Sequence, residues 1–153
     1  MGKILIYSDG GARGNPGPGG IGVVIKYPAE VGSRKSEVIS KSIGIATNNQ
    51  AEYRAVIEAL RYIHSNPSKT EPGSVSNRLG GLEIECFLDS ELIVEQLNQR
   101  YKIKNEGLKP LFWEIRDLVM ALGGKVTFKY IPREQNKEAD KLVNDALDKR
   151  IEG

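Results

Sequence analysis

The order in which the hydrophobic period changes along this chain constrains its fold more than any other feature. Lys3–Asp9 (KILIYSD) is apolar on both faces until it ends in polar residues, the pattern of a central strand. A glycine-rich turn, Gly10 to Gly20, leads to a second strand at Gly22–Tyr27. Ser36–Ile45 reads as a third, with Val38, Ile43 and Ile45 among its apolar positions. Connections this short make the three an antiparallel meander. The period then switches. Thr47 and Gln50 form a capping-box pattern opening a helix to about Ser65, with Ala55, Val56, Ala59, Leu60 and Ile63 at helical spacing. Leu82–Leu88 is a strand, and a helix starting near Ser90 carries Leu92, Ile93, Val94 and Leu97. Leu108–Leu122 is a further helix, with Leu111, Phe112, Ile115, Leu118 and Val119 on its buried side. Lys125–Ile131 is the last strand, and Asn136 N-caps a final helix to about Arg150. This alternation predicts an α/β fold: one five-stranded mixed sheet with helices on both faces.

Composition bounds the rest. A chain of 153 residues suits a single domain, 1–153, with a real core. Ser65–Gly81 (SNPSKTEPGSVSNRLGG) is the one stretch that fits no compact element and reads as an exposed loop insertion. Apolar runs such as Ile21–Ile25 are far too short to span a bilayer, and no secretory signal opens the chain. A single cysteine, Cys86, precludes an internal disulfide and suits a reducing, cytoplasmic setting. Cys86 and Trp113 are assigned to packing. The formal net charge is only +2, so any nucleic-acid interaction must rest on local features.

The acids supply such a feature. Asp9 closes the first strand and Asp89 the fourth, and a helix crosses between them. The two strands should therefore lie parallel, with both carboxylates at one edge of the sheet. Glu52 falls in the first turn of the crossover helix. Asp140 begins the last helix, and it approaches the same edge if the fifth strand is parallel too. Singly, each acid has a structural explanation in helix-dipole or turn chemistry. Together they would repel one another unless hard divalent cations neutralise them, and carboxylate oxygens are what Mg²⁺ prefers. Two such ions about 4 Å apart would suit phosphodiester hydrolysis.

The local sequences sharpen this reading. YSDGGARGNPGPGGIG surrounds Asp9, TNNQAEYRAVIEAL surrounds Glu52, FLDSELIVEQL surrounds Asp89 and PREQNKEADKLVNDA surrounds Asp140. In this order and spacing the four blocks resemble the type 1 ribonuclease H family over nearly the whole chain. The resemblance implies a ribonuclease H-like fold and an endonuclease that cuts the RNA strand of RNA–DNA hybrids; a monomer is expected, though the sequence does not show oligomeric state. It implies two Mg²⁺ or Mn²⁺ ions per site, and 3′-hydroxyl and 5′-phosphate products. Asp9, Glu52, Asp89 and Asp140 match the family's catalytic, metal-binding carboxylates, with Asp9 touching both ions. Gly10, Gly11, Asn48 and Asn49 match positions that contact the hybrid. Asn15 and Thr47 match positions that grip a DNA phosphate, and Ser90 lies near the RNA.

The chain also departs from the family pattern. Many members carry a histidine in the loop before the last acid, whereas the loop here reads Ile131-Pro132-Arg133-Glu134-Gln135-Asn136. It resembles a histidine-less, largely archaeal branch, with Arg133 or Glu134 as the candidate substitute. The sole histidine, His64, ends the crossover helix and reads as structural. The family's basic protrusion is missing. In its place Gln99–Lys104 offers Arg100, Lys102 and Lys104 for a small DNA-strand contact. The rival readings are a non-catalytic module binding hybrid or double-stranded RNA, another nuclease or transposase of this fold, and a domain cut from a larger protein such as a reverse transcriptase. The preferred metal and activity on double-stranded RNA stay open at this level.

Overall fold

The computed structural model describes residues 2–28, 36–66 and 83–152. Its strands are β1 (Ile4–Ala12), β2 (Gly17–Lys26), β3 (Ser36–Ala46), β4 (Ile84–Leu88) and β5 (Val126–Tyr130). Its helices are α1 (Asn48–Ser65), α2 (Glu91–Leu97), α3 (Lys109–Ala121) and α4 (Lys137–Glu152). The strands form one sheet in the order β3-β2-β1-β4-β5. The β1–β2 and β2–β3 pairs are antiparallel, and β1–β4 and β4–β5 are parallel. The meander and both parallel crossovers expected from the sequence are present. Residues 67–81, most of the expected loop insertion, lie outside the described residues.

The main difference lies in the glycine-rich segment. What reads as a turn from Gly10 to Gly20 is mostly strand: β1 runs on through Ala12 and β2 begins at Gly17. Weak strand propensity yields here to packing that glycine alone permits. A Cβ on Gly10 would overlap the backbone of Ala51 at the start of α1. One on Gly22 would overlap the Ala139 carbonyl in α4. Gly22 pairs with Asp9, the neighbour of Gly10 on β1, and successive strand residues face opposite ways. The two contacts therefore place α1 and α4 on opposite faces of the sheet, each in close contact with bare backbone.

The core lies between the sheet and α1–α3. Ile6, Ile21, Ile25, Leu60, Leu88 and Ile115 are fully buried in it. Helix α1 is held at its start by the expected capping box: Thr47 Oγ1 accepts from Gln50 N at 3.1 Å, and Gln50 Oε1 accepts from Thr47 N at 2.9 Å. Some apolar positions are not core. Val38 and Ile45 on edge strand β3 are exposed, as are Leu92 and Trp113. Trp113 meets Phe112 edge-on instead of packing inward, a correction to its assignment from sequence. Cys86 is buried as expected, and burial pushes its thiol pKa up.

Gly22→Ala tests the close approach of α4. Overpacking a site of this kind costs about 1–3 kcal/mol. The urea midpoint should fall by a corresponding amount with little change in slope. A wild-type midpoint would mean that α4 moves away from β2 without cost.

Candidate active site

Parallel pairing brings β1 and β4 together with Ser8 opposite Leu88, one residue before Asp9 and Asp89 respectively. Asp9 does not close its strand, since β1 continues to Ala12; Asp89 does follow the last residue of β4. Glu52 is the fifth residue of α1, one turn later than expected, and Gly10 lets the α1 backbone at Ala51–Glu52 lie directly against β1. Carboxylate oxygens of Asp9, Glu52 and Asp89 all lie within 4.8 Å of one another. Asp140, in the first turn of α4, lines the same cavity but stands outside that group of three.

Burial makes this cluster electrostatically costly. Asp9 and Glu52 are each only 7% exposed. Burial, and next the charge of Asp89, push the Asp9 carboxyl from its ordinary 3.8 up to about 7. Burial and the charge of Asp9 push Glu52 upward as well. Against this, Asp9 Oδ1 accepts from Gly10 N at 2.9 Å. Glu52 Oε2 is buried with no hydrogen-bond partner among the described residues. A buried acceptor in that state is destabilising unless something electropositive meets it. Clustered, oxygen-only donors with one such atom fit a hard divalent cation.

The acids line a cavity of about 490 Å³. Of the other residues expected at the site, Gly10, Gly11, Asn48, Asn49, Ser90 and Arg133 line it; Asn15, Thr47 and Glu134 do not. Asn15 and Thr47 instead organise its margin. Asn15 Oδ1 accepts from Asn48 N at 2.9 Å, and Asn48 Oδ1 accepts from Ala12 N at 2.9 Å, tying the β1–β2 turn to the start of α1. Ser90 Oγ accepts from Ile93 N at 3.3 Å and caps α2. Two polar lining residues escape sequence reasoning: Arg13, paired with Asp148 at 2.7 Å, and Asn144 on α4. Asn144 lies one turn beyond Asp140, and that spacing was the available signal.

Arg100 and Lys102 lie elsewhere, in a groove of about 470 Å³ shared with Tyr101, Lys109, Phe112 and Trp113. Lys104 is not among its lining residues. Arg100 is not a free cation: its guanidinium makes two bonds to Glu95, at 2.9 and 2.7 Å. His64 is exposed in the last turn of α1, at the end remote from Glu52.

A mixed sheet in this order, with helices on both faces and an acid cluster at the edge of its parallel pair, defines the ribonuclease H-like class. The RNase H family model matches residues 1–148, and the chain belongs to that family. It is 32% identical to the ribonuclease H of Ruthia magnifica, covering 97% of this chain and 98% of that protein. It is 36% identical to a bifunctional protein of Mycobacterium tuberculosis over 95% of its own length but spans only 36% of that relative. Among solved structures it resembles LC11-RNase H1, isolated from compost, with a TM-score of 0.82, 43% identity and 99% of each chain covered. It also resembles RNase H1 of the halophilic archaeon Halobacterium salinarum, with a TM-score of 0.77, 32% identity, and 97% of this chain and 99% of that one covered. LC11-RNase H1 has in addition been solved in complex with an RNA/DNA hybrid; that structure matches at 42% identity and a TM-score of 0.79, over 97% of this chain and 99% of that one.

The raised Asp9 carboxyl has a stability consequence of definite sign. Folding favours its neutral form, so its contribution is complete below the ordinary value of 3.8 and is lost as pH rises through about 7. Glu52 acts in the same direction. Cation-free protein should therefore melt lower at about pH 8 than at about pH 5, and Asp9→Asn should narrow the difference. Mg²⁺ should restore the wild-type melting temperature at the higher pH. A melting temperature that rises over this interval in chelator would contradict the cluster's electrostatics.

Proposed function

We propose that residues 1–153 form a single catalytic domain, an endoribonuclease that hydrolyses the RNA strand of RNA–DNA hybrids. The observation that carries this reading is the convergence of Asp9, Glu52 and Asp89 within 4.8 Å, with Asp140 on the same cavity. A water oxygen bonds to phosphorus as the bond to the 3′ oxygen breaks and that oxygen takes up a proton. The ends left are a 3′-hydroxyl and a 5′-phosphate. Two Mg²⁺ or Mn²⁺ ions held by Asp9, Glu52, Asp89 and Asp140 would supply water activation and charge neutralisation at the leaving oxygen.

The chain's own groups position the substrate. Gly10 and Gly11 expose backbone beside the acids, where an RNA strand and its 2′-hydroxyls can come close. Asn48, Asn49 and Ser90 share that cavity and offer polar contacts. Asn15 and Thr47, at the margin, suit a phosphate of the DNA strand. Lys102, with Arg100 partly neutralised by Glu95, extends the DNA contact along the outer groove, and Lys104 follows it in the same connection. The hybrid complex of LC11-RNase H1 supports this choice of substrate. No described helix is long and apolar enough to cross a membrane. The lone buried thiol supports a cytoplasmic setting.

Arg133, which lines the cavity, is favoured over Glu134, which does not, as the group standing where other members have histidine. Its guanidinium can hold a phosphate oxygen next to the acids. Arg133→Ala should lower kcat at least about tenfold, the scale of one lost charge-stabilising donor being about 10²–10³. Glu134→Ala should leave kcat within about twofold. Equal kcat in the two variants would remove Arg133 from the mechanism.

The reading as a whole is tested with labelled RNA–DNA, RNA–RNA and DNA–DNA duplexes, with and without Mg²⁺. Cleavage should be confined to the RNA of the hybrid and require the cation. Asp9→Asn should eliminate it while folding and hybrid binding persist. Cation-independent binding without cleavage by the wild type would instead identify a non-catalytic module.

A further inference from the structure

We propose that Asn136 is a positioning residue that sets the Asp89 carboxylate relative to Asp9. The inference rests on reading the acid cluster as a cation site. Asn136 is 2% exposed, and its Nδ2 donates to two partners at once. One is the Ser8 carbonyl, at 2.9 Å, immediately before Asp9; the other is Asp89 Oδ2, at 3.0 Å. The backbone carbonyl of Asn136 accepts from Asp140 N at 3.1 Å, which starts the helix carrying the fourth acid. One residue therefore touches β1, Asp89 and the first turn of α4.

This crosslink sits where the sheet cannot supply one. The β1–β4 ladder ends at Ser8–Leu88, so Asp89 lies just beyond the last paired residue. An amide NH₂ has two hydrogens and here gives one to the β1 backbone and one to the Asp89 carboxylate. The donor is also neutral. A lysine or arginine in its place would hold Asp89 as well but would cancel the negative charge a divalent cation requires.

The sequence suggested a helix-capping asparagine, and the geometry separates the two roles. A capping side chain turns its oxygen toward the first backbone N–H groups of the helix. Asn136 Oδ1 makes no hydrogen bond among the described residues, while the nitrogen end is fully used. The side chain is oriented for the acids, not for α4.

Asn136→Ser and Asn136→Asp separate the roles experimentally, because both keep a good N-cap and lose the double donor. Mg²⁺ alone is titrated calorimetrically into wild type, both variants and Asp89→Asn, and hybrid cleavage is measured alongside. Cation affinity of Asn136→Ser should fall about 10–100-fold, the scale for lost partners of metal-binding side chains. Its kcat at fixed Mg²⁺ should fall too, with KM for hybrid within about twofold. If Asn136→Ser fails to fold, Asn136→Asp decides by the same two measurements. Wild-type Mg²⁺ affinity and kcat in the folded variant would overturn the positioning role and leave the cation reading intact. Wild-type protein that shows no Mg²⁺ binding sensitive to Asp89→Asn would overturn both.

Discussion

Parallel pairing of β1 with β4 is the constraint on which the rest depends. Crossover through α1 obliges the two strands to run the same way, and their register sets Ser8 against Leu88. Two carboxylates one residue further on are thereby brought to a single edge. Glu52 arrives from one face of the sheet on α1 and Asp140 on α4 from the other.

Bringing helices so close to a sheet requires bare backbone. Gly10 admits Ala51 and Glu52, and Gly22 admits Ala139, one residue from Asp140. Gly10, with Gly11 beside it, also leaves strand backbone next to the acids free of side chains, in a cavity of about 490 Å³. At Gly10 the fold and the proposed chemistry thus make one demand. The resulting burial raises the Asp9 and Glu52 carboxyls, and the cluster gives up stability that bound cations would return.

Much of this was legible in the residues. Period changes located the elements, the Thr47–Gln50 box marked the start of α1, and element order placed the acids at one edge. Misreadings occurred where local and tertiary preferences oppose one another. Gly17–Gly20 has turn composition but is strand, because α4 packs on Gly20 and the ladder to β3 takes up the backbone hydrogen bonds. Trp113 has core composition but is exposed on α3, whose buried face is supplied by Phe112, Ile115 and Val119. Arg100 reads as a free cation, yet Glu95 lies in reach because the chain turns back after α2, where Arg100 N also bonds the Glu95 carbonyl.

The sequence by itself determined the alternation of elements, the family of the chain and the four acids proposed for the site, since these depend on periodicity and on residue identity at given spacing. Only the tertiary structure decided which polar side chains face the acids. Arg133 and Glu134 are neighbours with opposite charges, and only the direction of one 3₁₀ turn puts Arg133 on the cavity. Asn136 reads locally as a cap, yet its partners Ser8 and Asp89 are 128 and 47 residues away. Hydrogen bonds are short-ranged and directional, so a side chain's role follows from the atoms the fold brings within about 3 Å of it, and spacing along the chain does not encode them.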